Sequence, residues 1–135
     1  MSITLLAIDG QGKETKEYIE LLQDSAKIFT AEKLVLLTSD PQSKHDIVKC
    51  TQFPILDYLA YSKLCIEQLT DFIETDYVLN VQFDGFILNP DLWDEKFLEY
   101  DYIGAPWQNK KSRPMPAEVV IGNGGFSLRS KRLLD

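Results

Sequence analysis

The sequence is poor in the residues on which several common functions depend. It holds two cysteines, one histidine and 14 basic against 21 acidic side chains, so its net charge is −7. Proteins that bind nucleic acid by bulk charge carry a basic stripe, and we therefore predict no nucleic-acid partner. A phosphate-bearing ligand would need a metal ion or a few well-placed donors.

Disulfides and membrane-spanning segments are also missing from the pattern. Cys50 and Cys65 have no paired spacing and no histidine cluster beside them, which indicates reduced, packed thiols. No window approaches the roughly 20 apolar residues of a membrane span, and residues 1–4 do not resemble a basic leader. We expect no membrane span and a cytoplasmic location.

Two nucleotide-binding motifs are absent as well. No glycine-rich loop ends in Gly-Lys-Ser/Thr, and no Gly-x-Gly-x-x-Gly follows a predicted strand. The segment Asp9-Gly10-Gln11-Gly12 is too short for the second motif, and it lacks the second carboxylate of an Asp-x-Asp nucleophile. These absences argue against a phosphatase or kinase of another α/β fold.

What is present predicts one α/β domain over residues 1–135, with 44% apolar residues to form a core. Continuous apolar runs predict buried strands, and apolar residues three and four apart predict helices. Strands are expected at 3–8, 34–38, 77–83, 102–103 and 125–128, with a weaker one at Ile47 and Val48. Helices are expected at 15–29, over 58–73 after an Asp57 N-cap, briefly after Asn89-Pro90, and from Ser130 onward. Strand, helix, strand order favours a mostly parallel sheet flanked by helices.

In such a sheet the ligand lies beyond the carboxyl ends of the strands. The polar residues at those ends are Asp9, Ser39, Asp40, Gln82 and Asp84. A carboxylate after a buried strand suits a divalent metal that bridges a nucleotide diphosphate, which makes Asp84 the metal candidate. Asp84-Gly85 between apolar runs is equally typical of a type I′ hairpin that needs no ligand.

Other candidates also have a plain structural alternative. The Gly122-Asn123-Gly124-Gly125 segment allows close approach of a substrate, or is simply a tight turn. Trp107 suits stacking on a sugar or base, or packs beneath a loop. Further candidates are Lys63 for a diphosphate, His45 for a metal, and a basic loop with Lys110, Lys111 and Arg113 for phosphates.

Three long segments resemble a known family. They are VQFDGFILNP at residues 81–90, YDYIGAPW at 100–107 and GNGGFSLRS at 122–130. Together they are similar to an uncharacterised bacterial and viral domain family regarded as GT-A glycosyltransferases. The resemblance implies a GT-A-like, Rossmann-like fold with its C-terminal part missing after Asp135. The apolar surface that the missing part would leave exposed predicts weak stability or self-association.

The resemblance also implies roles for individual residues. Asp84 takes the position of the metal-ligating second aspartate of the GT-A Asp-x-Asp, while Gln82 replaces the first and is left to contact a ribose. Asn123 and Gly124 match the segment beside the transferred sugar, and Asp9, Ser39 and Asp40 match the nucleoside end. The catalytic base and a late histidine ligand would lie beyond Asp135.

The expected function is therefore transfer of a sugar from a nucleotide-sugar donor to a glycan or surface-polymer acceptor. The cofactor is expected to be a divalent metal, manganese or magnesium. The alternative is a non-catalytic nucleotide-binding or interaction module, which Gln82 in place of aspartate favours.

Overall fold

The fold is built on one six-stranded sheet and a small two-stranded one. The computed structural model describes residues 1–107, 120–122 and 124–135. The eight strands are β1 Ile3–Asp9, β2 Lys33–Thr38, β3 Lys49–Gln52, β4 Tyr77–Asn80, β5 Tyr102–Gly104, β6 Pro106–Trp107, β7 Val120–Ile121 and β8 Ser127–Ser130. The large sheet has the order β3-β2-β1-β4-β8-β5, and β6 pairs with β7 in the small one.

The large sheet is mostly parallel. β1 pairs in parallel with β2 and β4, and β2 pairs in parallel with β3. β8 lies antiparallel between β4 and β5, so five of the six strands point the same way. The prediction of an α/β fold with a mostly parallel sheet is confirmed at this level.

Helices flank the sheet, broadly where the periodicity placed them. α1 spans Thr15–Ile28, α2 spans Tyr58–Lys63, and α3 spans Lys131–Leu134. α2 continues as a π turn at Leu64–Gln68 and a 3₁₀ turn at Leu69–Phe72, and further 3₁₀ turns occur at Pro90–Leu92 and Glu95–Glu99. The predicted N-caps are confirmed, because Asp57 accepts from the Ala60 N–H at 2.7 Å and Ser130 from the Leu133 N–H at 3.1 Å.

Each face of the sheet has its own apolar core. α1 covers one face, where Leu5, Leu36 and Leu79 are buried, and α2 covers the other, where Leu6 and Leu37 are buried. Every residue of β1 is buried, as expected for a central parallel strand. Full burial of each such side chain contributes about 1.5–3 kcal/mol. The two cores fix the sheet and therefore the loops at its carboxyl edge.

Three predicted strands differ from the structure. The strand expected at 125–128 is β8, which begins two residues later and ends at Ser130. β3 begins at Lys49, so Ile47 and Val48 lie in the segment directly before the strand and not within it. β4 ends at Asn80 instead of Phe83, because the chain turns at Gln82. Both cysteines are free. In the described part of the chain, no helix has the length and apolar character to cross a bilayer.

Candidate functional site

The order of the strands identifies the place where a ligand would bind. From β1 the chain runs outward to β2 and β3 on one side, and β4 then returns to the other side of β1. In open α/β sheets, the crevice beyond the carboxyl ends of the strands at such a reversal is the usual ligand site. Here it lies between the loop after Asp9 and the turn after β4.

Asp9 organises the loop on the β1 side of this crevice. It is 3% exposed, and its carboxylate accepts from the Gly12 N–H at 3.0 Å, the Thr15 hydroxyl at 2.8 Å and the Thr38 hydroxyl at 3.3 Å. The Glu14 N–H donates to the same carboxylate at 3.3 Å. Because these donors occupy both oxygens, Asp9 organises this loop and does not face the crevice as a free acceptor.

Gly12, Ser39 and Asp40 meet at the same place. Gly12 has φ of +67°, and a Cβ there would lie 2.6 Å from Ser39 Oγ and 2.9 Å from Asp40 N. The Asp40 carboxylate accepts from the Gln42 N–H at 2.9 Å. The structure thus brings three of the predicted donor-binding residues, Asp9, Ser39 and Asp40, to one loop pair at the carboxyl edge.

A tight turn presents Asp84 on the β4 side. The Gln82 N–H donates to the Gly85 carbonyl at 2.8 Å, and the Gly85 N–H donates back at 3.1 Å. Phe83 and Asp84 are its central residues, and neither has positive φ. The type I′ hairpin centred on Asp84-Gly85 is therefore wrong, because the turn is one residue earlier and residues 86–88 form no strand. Asp84 is exposed at its tip.

An aromatic pair connects the two sides of the crevice. The rings of Tyr18 and Phe83 stack with centroids 4.2 Å apart, and Phe83 stays 42% exposed. Burial raises the pKa of Tyr18, and the charges of Glu14, Asp9 and Asp84 raise it further. The crevice therefore has negative charge beside an aromatic surface, an environment that favours a bound cation.

Beneath the turn lies a buried polar cluster, which consists of Tyr61, Asn80, Gln82 and Arg129. Gln82 Nε2 donates to the Tyr61 hydroxyl at 2.9 Å, and burial, with the neighbouring Cys65, raises the pKa of Tyr61 to about 12. Asn80 Nδ2 donates to the Gly124 carbonyl at 2.8 Å, so Gly124 is tied to the end of β4. The cluster fixes the orientation of the Gln82 amide.

Arg129 is the charged member of this cluster and is only 8% exposed. Its Nη1 donates to the Cys65 carbonyl at 2.9 Å and its Nε to Ser127 Oγ at 3.2 Å. A Cβ on Gly124 would lie 2.7 Å from Arg129 Nη2, so a larger residue at position 124 would require the guanidinium to shift. The glycine-rich segment thus has a packing role beside its predicted role.

Several candidates lie apart from the crevice. Lys63 is exposed and pairs with Glu67 at 3.8 Å. It follows Tyr61 by two residues, which places it on the other side of the helix. His45 Nδ1 accepts from the Ile47 and Val48 N–H groups, each at 3.1 Å, and acts as a local cap. Trp107 is half-exposed in β6. Asn123, Lys110, Lys111 and Arg113 lie outside the described residues.

The described side chains at the crevice form no complete ligand set for a divalent cation. Within residues 1–107, 120–122 and 124–135, no three His, Cys, Asp or Glu side chains are grouped as metal ligands. Within the part of the chain that the structure describes, the exposed Asp84 carboxylate accepts no hydrogen bond, while the carboxylate of Asp9 is occupied. Magnesium is commonly held by one or two carboxylates together with substrate phosphates and water. The site therefore fits a metal that arrives with a diphosphate and is no preformed cage.

Sequence reasoning missed Tyr18, Thr15, Thr38, Tyr61 and Arg129. The sequence pattern could not identify Tyr18 and Tyr61 as site residues, because aromatic residues at helical spacing are typical of the core. Thr15 and Thr38 reach Asp9 only after α1 and β2 fold back onto β1. Arg129 belongs to the segment at residues 122–130 that resembles the family. Its burial against the Cys65 carbonyl could not be predicted, because Cys65 is distant in the sequence.

Comparisons with known proteins show which family the chain belongs to. A family model described as "Protein of unknown function (DUF5672)" matches residues 46–134. No curated protein and no solved structure matches the chain. The match covers β3 to α3, including the turn with Asp84 and the glycine-rich segment. The chain thus belongs to the family described as a protein of unknown function, DUF5672.

Proposed function

We propose that this protein transfers a sugar from a nucleotide-sugar donor to a glycan or surface-polymer acceptor, with the donor bound in the crevice between β1 and β4. The observation that carries the proposal is the exposed Asp84 carboxylate, held by a two-residue turn at the reversal point of a mostly parallel sheet. The GT-A resemblance supplies the reaction class. The local negative charge and the aromatic pair support a metal–nucleotide ligand.

Different residues of the crevice would contact different parts of the donor. Asp84 would hold a manganese or magnesium ion, which neutralises the departing diphosphate when bound. Tyr18 and Phe83 would flank the donor with an aromatic face. Gln82 donates its Nε2 hydrogen to Tyr61, so its carbonyl oxygen is left to accept from a ribose hydroxyl.

A specific observation favours a second candidate, a non-catalytic nucleotide-binding or interaction module. Gln82 is neutral, and its amide nitrogen is already engaged by the buried Tyr61 hydroxyl. A site with one free carboxylate has little intrinsic affinity for a metal. Such a module would bind a nucleotide without a metal.

Calorimetric titration of UDP and of GDP, each with and without manganese, tests both candidates. The variant is Asp84→Asn, which keeps the shape of the side chain and removes its charge. Asp71→Asn is the matched control, because Asp71 is an exposed aspartate on the 3₁₀ turn that follows α2. We expect manganese-dependent binding that weakens about tenfold or more in Asp84→Asn, the equivalent of about 1.4 kcal/mol, and is unchanged in Asp71→Asn.

The other outcomes are also decisive. Nucleotide binding that ignores manganese and survives Asp84→Asn would favour the non-catalytic module. Binding of manganese alone at micromolar concentrations would contradict the single-carboxylate site. No binding of either nucleotide would overturn the proposed donor site.

A further inference from the structure

A large apolar cavity lies on the face of the sheet that α1 covers, away from the buried polar cluster. Its volume is about 590 Å³, within the range of small-molecule sites. β4 and β8 form its floor through Leu79 and Leu128, and residues 86–97 form its roof with Trp93 and Phe97. It is half open to solvent at Phe86 and Phe126, which are 40% and 38% exposed.

The cavity lining carries no charge. Among the described residues that line it, none is ionisable, although 26% of the whole sequence is charged. Its polar side chains each make at least one hydrogen bond within the protein. Asn89 accepts from the Asp91 N–H at 3.1 Å, Trp93 Nε1 donates to Glu95 at 3.0 Å, and Ser127 Oγ donates to the Gly124 carbonyl at 3.2 Å. A glycan would bring hydroxyl groups into a lining whose described side chains are mostly apolar, whereas hydrocarbon needs no hydrogen-bond partner.

The open end of the cavity adjoins the turn that presents Asp84. Gly85 packs so closely on Phe126 that a Cβ at position 85 would lie 2.8 Å from the Phe126 Cβ. Phe86 follows the turn directly and lines the cavity. A molecule that fills the cavity therefore emerges beside Asp84, where the donor diphosphate is expected.

We propose that this cavity binds a hydrocarbon chain carried by the acceptor, so that the acceptor is a lipid-linked glycan or another molecule with an apolar tail. That the molecule bearing this hydrocarbon chain is the acceptor rests on the function proposed above. The binding of hydrocarbon rests only on the cavity. The chain lies between the sheet and residues 86–97, and the polar head of the acceptor lies at Phe86 and Phe126.

A series of alkyl glucosides with chains of six to ten carbons, used below their micelle-forming concentrations, tests the proposal. The reporter is the fluorescence of Trp93 in a Trp107→Phe background, since the sequence has two tryptophans. Burial of each methylene contributes about 0.8 kcal/mol, or about fourfold in affinity. We expect the dissociation constant to fall about fourfold per added carbon until the cavity is full. Glucose alone should not bind.

Variants separate this cavity from other apolar surface. Ala105 is an exposed residue at the cavity rim, and Ala105→Phe should fill part of the space and weaken octyl glucoside binding about tenfold. Leu88→Asn removes an apolar side chain from the rim, and Ile66→Asn is its matched control on the opposite face, with 81% and 72% exposure respectively. Only the first of this pair should weaken binding. Circular dichroism confirms that each variant is folded.

The outcomes distinguish this inference from the proposed function. Affinity that does not depend on chain length, or equal effects of Leu88→Asn and Ile66→Asn, would overturn the hydrocarbon site whether or not nucleotides bind. Chain-length-dependent binding with no nucleotide binding would leave the cavity as a hydrocarbon site and remove the donor site. Where both bind, octyl glucoside and manganese–UDP should bind together. Mutual displacement would contradict the acceptor role.

Discussion

At position 12 the backbone takes a conformation that only glycine adopts without strain. Its φ of +67° is combined with a close approach to Ser39 and to the backbone of Asp40. Gly12→Ala should lower the free energy of unfolding by roughly 1–3 kcal/mol, because both the left-handed conformation and the new contact are unfavourable. Urea denaturation of the two proteins measures the difference.

A matched glycine provides the control for this prediction. Among the residues that the structure describes, the nearest neighbour of a Cβ on Gly122 would be the Trp107 ring at 3.8 Å, an ordinary contact. Gly122→Ala should therefore change the unfolding free energy by less than about 0.5 kcal/mol. Equal losses in the two variants would mean that the loop after Asp9 is not organised as described.

The sequence showed most of the candidate side chains but not what they contact. Asp9, Ser39, Asp40 and Asp84 were predicted to lie at one edge of the sheet, and the structure places them there. Whether a carboxylate is free or engaged was not predictable, because the donors to Asp9 include Thr38, 29 residues away. Local patterns carry no information on such pairings.

The π turn that follows α2 depends on an interaction with another element. Arg129 of β8 donates to the carbonyl of Cys65 within that turn and to Ser127 Oγ. Arg129→Lys should lower the free energy of unfolding by about 1–3 kcal/mol, since a single ammonium cannot reproduce the planar fork and leaves a buried acceptor unpaired. Thermal or urea unfolding measures this loss.

An exposed arginine in the adjoining helix is the control. Arg132 pairs with Asp101 at 2.7 Å, and its side chain is 80% exposed. Arg132→Lys should lower the free energy of unfolding less than Arg129→Lys does, because exposed ion pairs contribute little to stability. A larger loss in Arg132→Lys than in Arg129→Lys would contradict the role given to the buried guanidinium.

Elements were predicted well where one periodicity dominated. β1, β2 and α1 match their apolar patterns to within a residue or so. The second helix was found, but its change from α to π to 3₁₀ geometry was not, because apolar spacings of three and four residues are common to all three. β4 was predicted too long, since Val81 to Phe83 continue the apolar pattern after the hydrogen bonding has turned at Gln82.

For the molecule as a whole, the response to acid should depend on carboxylates that join separate elements. Hydrogen bonds from Arg132 and Ser130 hold the pKa of Asp101 below its usual range. A carboxyl with a lowered pKa stabilises the fold above its unfolded pKa of about 3.9, and this stabilisation disappears as the pH falls through the folded pKa.

The variant Asp101→Asn should therefore be less stable than the wild type at neutral pH, and the difference should shrink as the pH falls below about 4. Urea denaturation midpoints between about pH 2 and pH 7 give both curves. Glu74 and Asp76, whose pKa values are also lowered, remain in both proteins. Parallel curves across the acid range would show that Asp101 does not contribute through its charge.

The order of the strands was beyond sequence reasoning. The parallel β1–β2 pair followed from a strand, helix, strand pattern, but nothing in the pattern of residues 125–128 indicated that β8 would lie between β4 and β5. That choice depends on the whole sheet, in which Leu128 reaches one core and Arg129 the other face. The position of Gly124 beneath the crevice follows from it.

The late position of β8 in the chain bears on the order of events during protein synthesis. Among the described strands, β5 pairs in the large sheet with β8 alone, and β8 is translated some 25 residues after β5 begins. In a nascent chain, β1, β2, β3 and β4 can pair first. β5 and the residues around the cavity stay unpaired until β8 has been synthesised. An intermediate of this kind exposes apolar surface and an unpaired edge at β4, which are the features that chaperones bind and that lead to aggregation.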